Sequence, residues 1–114
     1  MVYDLEERTL EFAKAVRLLA KALPRTVANA EDMKQLIRSS GSVGANYREA
    51  NEALSRKDFL MRVRISRKEA KESVYWLTLI RETNLLANPI AVDQLIREAG
   101  ELTRILSAIA AKAA

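Results

Sequence analysis

The fold of this 114-residue chain is decided by the segment Gly41-Ser42-Val43-Gly44-Ala45-Asn46-Tyr47-Arg48-Glu49-Ala50. The segment lies within a run of apolar and small residues that recur in alternating steps of three and four, a spacing typical of a helix that packs against other helices. This heptad seam consists of Met33, Leu36, Ser40, Val43, Tyr47, Ala50 and Leu54. A glycine inside a helix costs about 1 kcal/mol relative to alanine. Gly41 and Gly44 therefore indicate either close packing or a kink.

Three further stretches carry the same spacing. Their seams are Leu5, Phe12, Val16, Leu19 and Leu23; then Phe59, Val63, Ser66, Ala70, Ser73, Leu77 and Ile80; then Val92, Leu95, Ala99, Leu102, Leu106, Ile109 and Ala113. Helix start signals agree with this division, because Asp4 precedes Glu7, Ser55 precedes Asp58, and Asn88 precedes a proline. We therefore predict four helices, at about residues 4–23, 29–54, 56–84 and 89–112.

Seams of this kind predict an all-α fold, an antiparallel up-and-down left-handed four-helix bundle formed by a single domain over residues 1–114. Four seam positions are small, so we expect close helix approach at Ser40, Ser66, Ala70 and Ser73. The simplest interpretation of the three serines is that each hydroxyl bonds back to its own helix.

The chain contains no His and no Cys, which excludes disulfides, zinc–thiolate clusters and imidazole catalysis. We predict no catalytic residue, no metal ligand and no cofactor. A carboxylate site built from Glu49 with Glu52, or Glu69 with Glu72, is the enzymatic alternative. It lacks the Glu-x-x-His partner of iron-binding bundles, and these acids lie off the predicted seams.

No apolar run approaches the length of a membrane span, which is about 18 residues. The first residues are acidic where a signal peptide is basic. We therefore expect a cytoplasmic protein with no membrane partner.

The positive charge of the chain is concentrated in the third predicted helix. Residues 55–84 hold eight basic and four acidic groups, which equals the net charge of +4 of the whole chain. A basic patch of this kind neutralises phosphates. The candidate nucleic-acid-binding residues are Lys57, Arg64, Arg67, Lys68 and Lys71, assisted by Arg56, Arg62 and Arg48, with Tyr75 at the end of the row. The alternative is a solvated helix face with internal ion pairs, such as Asp58 with Arg62 and Lys68 with Glu72.

A second row of side chains on the same helix is apolar and points away from the predicted seam. It consists of Met61, Ile65, Trp76 and Leu79. Together with Gly41 and Ala45 on the second helix, this row predicts an interface with another copy of the chain. The alternative is that the third helix is central and buries more than half of its circumference within its own bundle.

Several segments resemble a known family. They are residues 35–46, 48–50, 68–73 and 75–77. They are similar to the four-helix-bundle proteins encoded by intervening sequences of bacterial large-subunit ribosomal RNA genes, also called S23 ribosomal-protein-like. The similarity spans nearly the whole chain, and one departure is Gly44, where many relatives have proline. That departure weakens the prediction of a kink.

The resemblance implies a homopentameric up-and-down bundle that has no enzymatic activity and binds RNA. The chain is also distantly similar to the accessory variability determinant of diversity-generating retroelements, a basic pentameric bundle that binds nucleic acid and a reverse transcriptase. The leading hypothesis is a non-catalytic, oligomeric module that binds RNA or DNA phosphates. The alternative is a structural adaptor that docks a protein partner, such as a reverse transcriptase or a neighbouring gene product, without nucleic-acid contact.

Overall fold

The computed structural model describes residues 4–114, which form four helices. These are α1 (Leu5–Ala22), α2 (Val27–Asn51), α3 (Arg56–Thr83) and α4 (Pro89–Ala113). They fold as the predicted antiparallel up-and-down four-helix bundle, and no strand occurs between residues 4 and 114. Both α1 and α3 pack against α2 and α4, so α1 and α3 lie diagonally across the bundle from each other.

Side-chain caps fix the start of three helices. Asp4, Thr26 and Ser55 each accept a hydrogen bond of 3.1 Å from a backbone N–H in the first turn that follows. The caps at Asp4 and Ser55 confirm the predicted spacing. The cap at Thr26 is one that the heptad pattern does not reveal, and α2 begins at Val27 rather than residue 29. Asn88 is the N-cap residue of α4 and Pro89 opens the helix, as predicted, but the Asn88 side chain makes no cap hydrogen bond.

The end of α2 differs from the prediction. The helix stops at Asn51, and the next N–H, that of Glu52, bonds to the Glu49 carbonyl oxygen at 3.1 Å. The chain then turns so that Ser55 can cap α3. Leu54 falls in this turn and is 99% exposed. Its predicted place in the second seam is therefore wrong.

The remaining seam positions form the core, except Ala113 at the end of α4, which is half-buried and lies outside the core cluster. Those with no exposed surface are Leu36, Ser40, Val43, Val63, Ser66, Ala70, Ser73, Leu77, Ile80, Val92, Ala99, Leu102, Leu106 and Val16. Tyr47, Phe59 and Ile109 are half-buried and pack against this core. The spacing of three and four thus predicts the buried faces of all four helices.

Buried serines hold α2 close to α3. The Ser66 hydroxyl donates to the Val43 carbonyl oxygen at 2.7 Å, and the Ser39 and Ser73 hydroxyls are 2.9 Å apart. Ser40 and Ser73 also donate to carbonyl oxygens of their own helices, as predicted. The same prediction is wrong for Ser66, whose bond crosses between helices.

The two glycines of α2 have different environments. A Cβ atom at Gly44 would lie 2.8 Å from the Thr9 Oγ1 atom of α1. The missing side chain therefore allows α1 and α2 to approach, which confirms close packing as the role of Gly44. A Cβ atom at Gly41 would meet only the end of the Arg17 guanidinium, at 3.5 Å. Gly41 thus faces α1 of its own bundle rather than open solvent.

Candidate nucleic-acid interface

The basic surface of α3 is free of ion pairs. Seven Lys and Arg residues lie between Arg56 and Lys71, and none of them makes an ion pair with an acid among residues 4–114. The exposed members are Arg56, Lys57, Arg64, Lys68 and Lys71, and the half-buried ones are Arg62 and Arg67. Most of the predicted phosphate-binding side chains are therefore open to solvent on a single helix.

Two of the four acids of α3, Glu69 and Glu72, bind an arginine of α2 rather than the cations of this surface. Arg38 donates one guanidinium hydrogen bond to Glu69 at 2.8 Å and another to Glu72. Glu69 is only 7% exposed, so its predicted position away from the packed faces is wrong. The alternative intrahelical pair between Lys68 and Glu72 does not form, and neither does the pair between Asp58 and Arg62.

Glu72 also accepts a hydrogen bond from the Trp76 indole N–H at 3.0 Å. This hydrogen bond is the largest influence that lowers the pKa of the Glu72 carboxyl, and the Arg38 guanidinium lowers it further, while partial burial opposes both. In turn, the hydrogen bond to Glu72 raises the pKa of the Arg38 guanidinium. The charged form of the Glu72 carboxyl is thus favoured, and its hydrogen-bond donors are Arg38 of α2 and Trp76 of α3.

Two of the eight predicted phosphate-binding residues have partners within the chain. Arg62 donates to the Asn46 side-chain oxygen of α2 at 3.1 Å. Arg48 pairs with the Glu6 carboxylate of α1 at 3.3 Å. These contacts stabilise the packing between helices, so Arg62 and Arg48 are less available to a ligand than the exposed residues of α3.

The apolar row on α3 is only partly exposed. Met61 is 47% exposed, whereas Ile65, Trp76 and Leu79 are half-buried. Trp76 packs against the core, and its ring meets the Tyr75 ring edge-on with centroids 4.9 Å apart. Of the two small residues predicted to join this interface from α2, Ala45 is exposed and Gly41 is half-buried. Met61 therefore points outward as predicted, whereas Trp76 lies partly against the core of its own bundle.

Neither a metal-ligand cluster nor a membrane-spanning helix occurs in the part of the chain that the structure describes. Between residues 4 and 114, no three acid side chains come together as ligands for a metal ion. None of the four helices over the same range has the length and apolar character needed to cross a bilayer.

Comparisons with known proteins agree with the fold and with the resemblance. The model of the 23S rRNA-intervening sequence protein family matches residues 3–108. The chain is also similar to a protein of unknown function from the S23 ribosomal protein family of Bacteroides thetaiotaomicron VPI-5482, solved by crystallography at 1.70 Å resolution. The two share 34% sequence identity with a TM-score of 0.78, over 92% of this chain and 96% of that chain. No curated protein matches the chain.

Proposed function

The chain belongs to the 23S rRNA-intervening sequence protein family, and we propose that it is a non-catalytic module whose α3 surface binds the phosphates of RNA or DNA. One observation carries this proposal: the seven cations between Arg56 and Lys71, on about four turns of α3, pair with no acid among residues 4–114. The neighbouring acids Glu69 and Glu72 are bound by Arg38 of α2 instead. An exposed cation that has no acidic partner breaks no ion pair when it contacts a phosphate. Each such contact also releases counterions from the nucleic acid, which increases the affinity.

The dimensions of the basic surface suit a nucleic-acid backbone. Lys57 and Lys71 are 14 residues apart, which corresponds to about 21 Å along a helix. Each strand of a DNA duplex carries one phosphate per about 3.4 Å of helix axis, so a surface of this length laid along the axis covers the rise of about six phosphates of one strand. Tyr75 is 59% exposed and lies one turn beyond Lys71, where its ring can stack on an unpaired base. Because phosphate contacts do not identify bases, we expect weak sequence specificity.

The cations are not equivalent in this proposal. Lys57, Arg64, Lys68 and Lys71 form the centre of the surface, with Arg56 and Arg67 at its margins. Arg62 and Arg48 would have to leave Asn46 and Glu6 to reach a phosphate, so we expect them to contribute less.

We further propose that the module is a homo-oligomer, a pentamer according to the resemblance, in which Met61 and its neighbours on α3 contact another copy. A closed symmetric ring repeats the basic surface and strengthens the electrostatic potential around it.

The test is fluorescence anisotropy with a labelled structured RNA and a labelled DNA duplex, measured over a salt series. We compare the wild type with the double variant Arg64→Glu and Lys68→Glu. The matched control is Lys34→Glu with Arg97→Glu, which reverses two exposed cations, one on α2 and one on α4, that form no ion pair within residues 4–114. Both double variants change the net charge by the same amount.

We expect wild-type binding to weaken steeply with salt, the α3 variant to lose at least about tenfold in affinity, and the control to lose much less. Equal losses in the two variants would mean that net charge alone attracts the nucleic acid. Absence of wild-type binding even at low salt would overturn the proposal and favour the structural adaptor.

A further inference from the structure

On the side of the bundle away from α3, an open apolar groove separates α1 from α4. It has a volume of about 800 Å³ and is lined by apolar side chains along most of its length. The principal ones are Phe12, Leu18 and Leu19 from α1 with Leu86, Ala91 and Leu95 from the start of α4 and the loop before it. Of the neighbouring helix pairs, α1 and α4 make the least extensive contact, which leaves this groove uncovered.

The charged residues of the groove are mainly acidic. Its lining contains Asp4, Glu7, Glu11 and Glu98, against the single cation Arg8, so the lining has a net charge of −3 in a chain whose net charge is +4. The Arg8 guanidinium donates two hydrogen bonds to the Glu98 carboxylate, at 2.7 and 2.8 Å. The acids cluster at the end of the groove near the start of α1, and the opposite end, near Leu86, is uncharged.

We propose that this groove binds an amphipathic helix of a partner protein, with its apolar face in the groove and basic residues at the end that meets Glu7. From Glu7 to Ala22 the groove follows α1 for 15 residues, or about 22 Å, which accommodates about four turns of a docked helix. An apolar floor with charges at the rim is the surface that recognises helices through residues spaced by three, four and seven. The acidic rim selects a basic helix over an acidic one.

The basic helix of a second copy is a poor occupant. On α3 the exposed large apolar side chains are Met61 and Tyr75, which are 14 residues apart, and Lys68 lies midway between them on the same face. Ile65 and Trp76 are already half-buried in their own bundle. A helix that fills the groove needs several apolar side chains on consecutive turns, which the outer face of α3 does not provide.

The experiment uses two labelled synthetic peptides of about 15 residues, the length of the groove. Both carry leucines spaced by three and four. One has lysines on its polar face, and its twin has glutamates at the same positions. Anisotropy measures the binding of each peptide to the wild type, to Leu18→Lys and to Glu7→Lys. Leu10→Lys is the matched apolar control, since Leu10 is an exposed leucine of α1 outside the groove lining, and Glu31→Lys on α2 is the charge control.

We expect the basic peptide to bind the wild type and to lose at least about tenfold in affinity with Leu18→Lys, and less with Glu7→Lys, while both controls bind normally. The Arg64→Glu and Lys68→Glu variant should bind the peptide as the wild type does, so this inference stands or fails independently of nucleic-acid binding. No binding of the basic peptide, equal binding of its acidic twin, or equal effects of Leu18→Lys and Leu10→Lys would each overturn it. A drop in solution mass with Leu18→Lys would also overturn it, because the groove would then hold a second copy.

Discussion

At the scale of single residues, Gly44 sets the distance between α1 and α2. In the variant Gly44→Ala, the new Cβ atom would lie 2.8 Å from Thr9 Oγ1 and 3.2 Å from Thr9 Cβ. Thr9 has little freedom to move because its hydroxyl donates to the Leu5 carbonyl oxygen at 2.6 Å. We expect the overpacking to outweigh the gain in helix propensity and to lower the free energy of unfolding by about 1–2 kcal/mol. Urea unfolding followed by circular dichroism measures the change.

The matched control for Gly44 is the other central glycine of α2. Gly41→Ala adds a methyl group that makes only an ordinary contact with the flexible end of Arg17. It should raise the free energy of unfolding by about 0.5–1 kcal/mol through helix propensity. If both variants are stabilised, then α1 can move away from α2 at little cost and Gly44 does not determine the packing.

A second prediction at this scale concerns the pH dependence of stability. The folded protein lowers the pKa of Glu72 from its ordinary value of 4.5, chiefly through the Trp76 N–H. The stabilisation is therefore present above pH 4.5 and is lost as the pH falls through the lowered folded pKa. The variant Trp76→Phe keeps an aromatic ring but removes the donor. We expect the pKa of Glu72 to rise in a carboxyl NMR titration, with a loss of about 0.5–1 kcal/mol at neutral pH. An unchanged pKa would assign the effect to Arg38 instead.

At the scale of the helices, a reciprocal amide pair ties the start of α2 to the end of α3. Asn29 donates to the Asn84 side-chain oxygen at 2.8 Å, and Asn84 donates back at 2.9 Å. Asn29 is 5% exposed, so replacing it with alanine leaves the Asn84 side chain without these two hydrogen bonds at a buried contact. We expect Asn29→Ala to cost about 1–3 kcal/mol of stability.

A double-mutant cycle with Asn84→Ala separates the pair from its surroundings. The double variant should lose less than the sum of the single losses, with a coupling of at least about 0.5 kcal/mol. Asn51→Ala is the control, because Asn51 is exposed and its bond to Glu6 lies at the surface. Additive losses at Asn29 and Asn84 would show that the two amides stabilise their helices separately.

The helices also show which features a sequence can predict. Periodicity identifies a buried face because the core selects it over many residues, so the seams of α1, α3 and α4 agree with the structure. A helix end depends on a few local hydrogen bonds. The second seam continues to Leu54, yet the turn needed to place Ser55 at the start of α3 ends α2 at Asn51. Thr26 caps α2 without the acidic residue at the third position that a capping box requires.

At the scale of the whole molecule, charge is distributed between opposite sides of the bundle. The sequence locates the cations of α3, but it does not reveal that Glu69 and Glu72 bind Arg38, more than 30 residues away. That pairing depends on how α2 packs against α3. The groove between α1 and α4 is equally hidden from the sequence, since it results from two helices that separate along part of their length. Composition thus predicts the basic surface, whereas the acidic groove needs the folded bundle.

The last prediction concerns assembly through the apolar row of α3. Met61 is 47% exposed, so an aspartate there should leave the monomer folded and place a charge in any contact with another copy. We expect Met61→Asp to reduce the solution mass measured by light scattering, because burying an unpaired carboxylate at an interface is costly. Leu10→Asp introduces the same charge at a similarly exposed position on α1 and should leave the mass unchanged. Ile65→Asp should act as Met61→Asp does, but with some loss of stability, since Ile65 is half-buried within its own bundle. If Met61→Asp has the same solution mass as the wild type, then Met61 does not contact a second copy. The outer face of α3, with its cations and Met61, would then be available to a ligand.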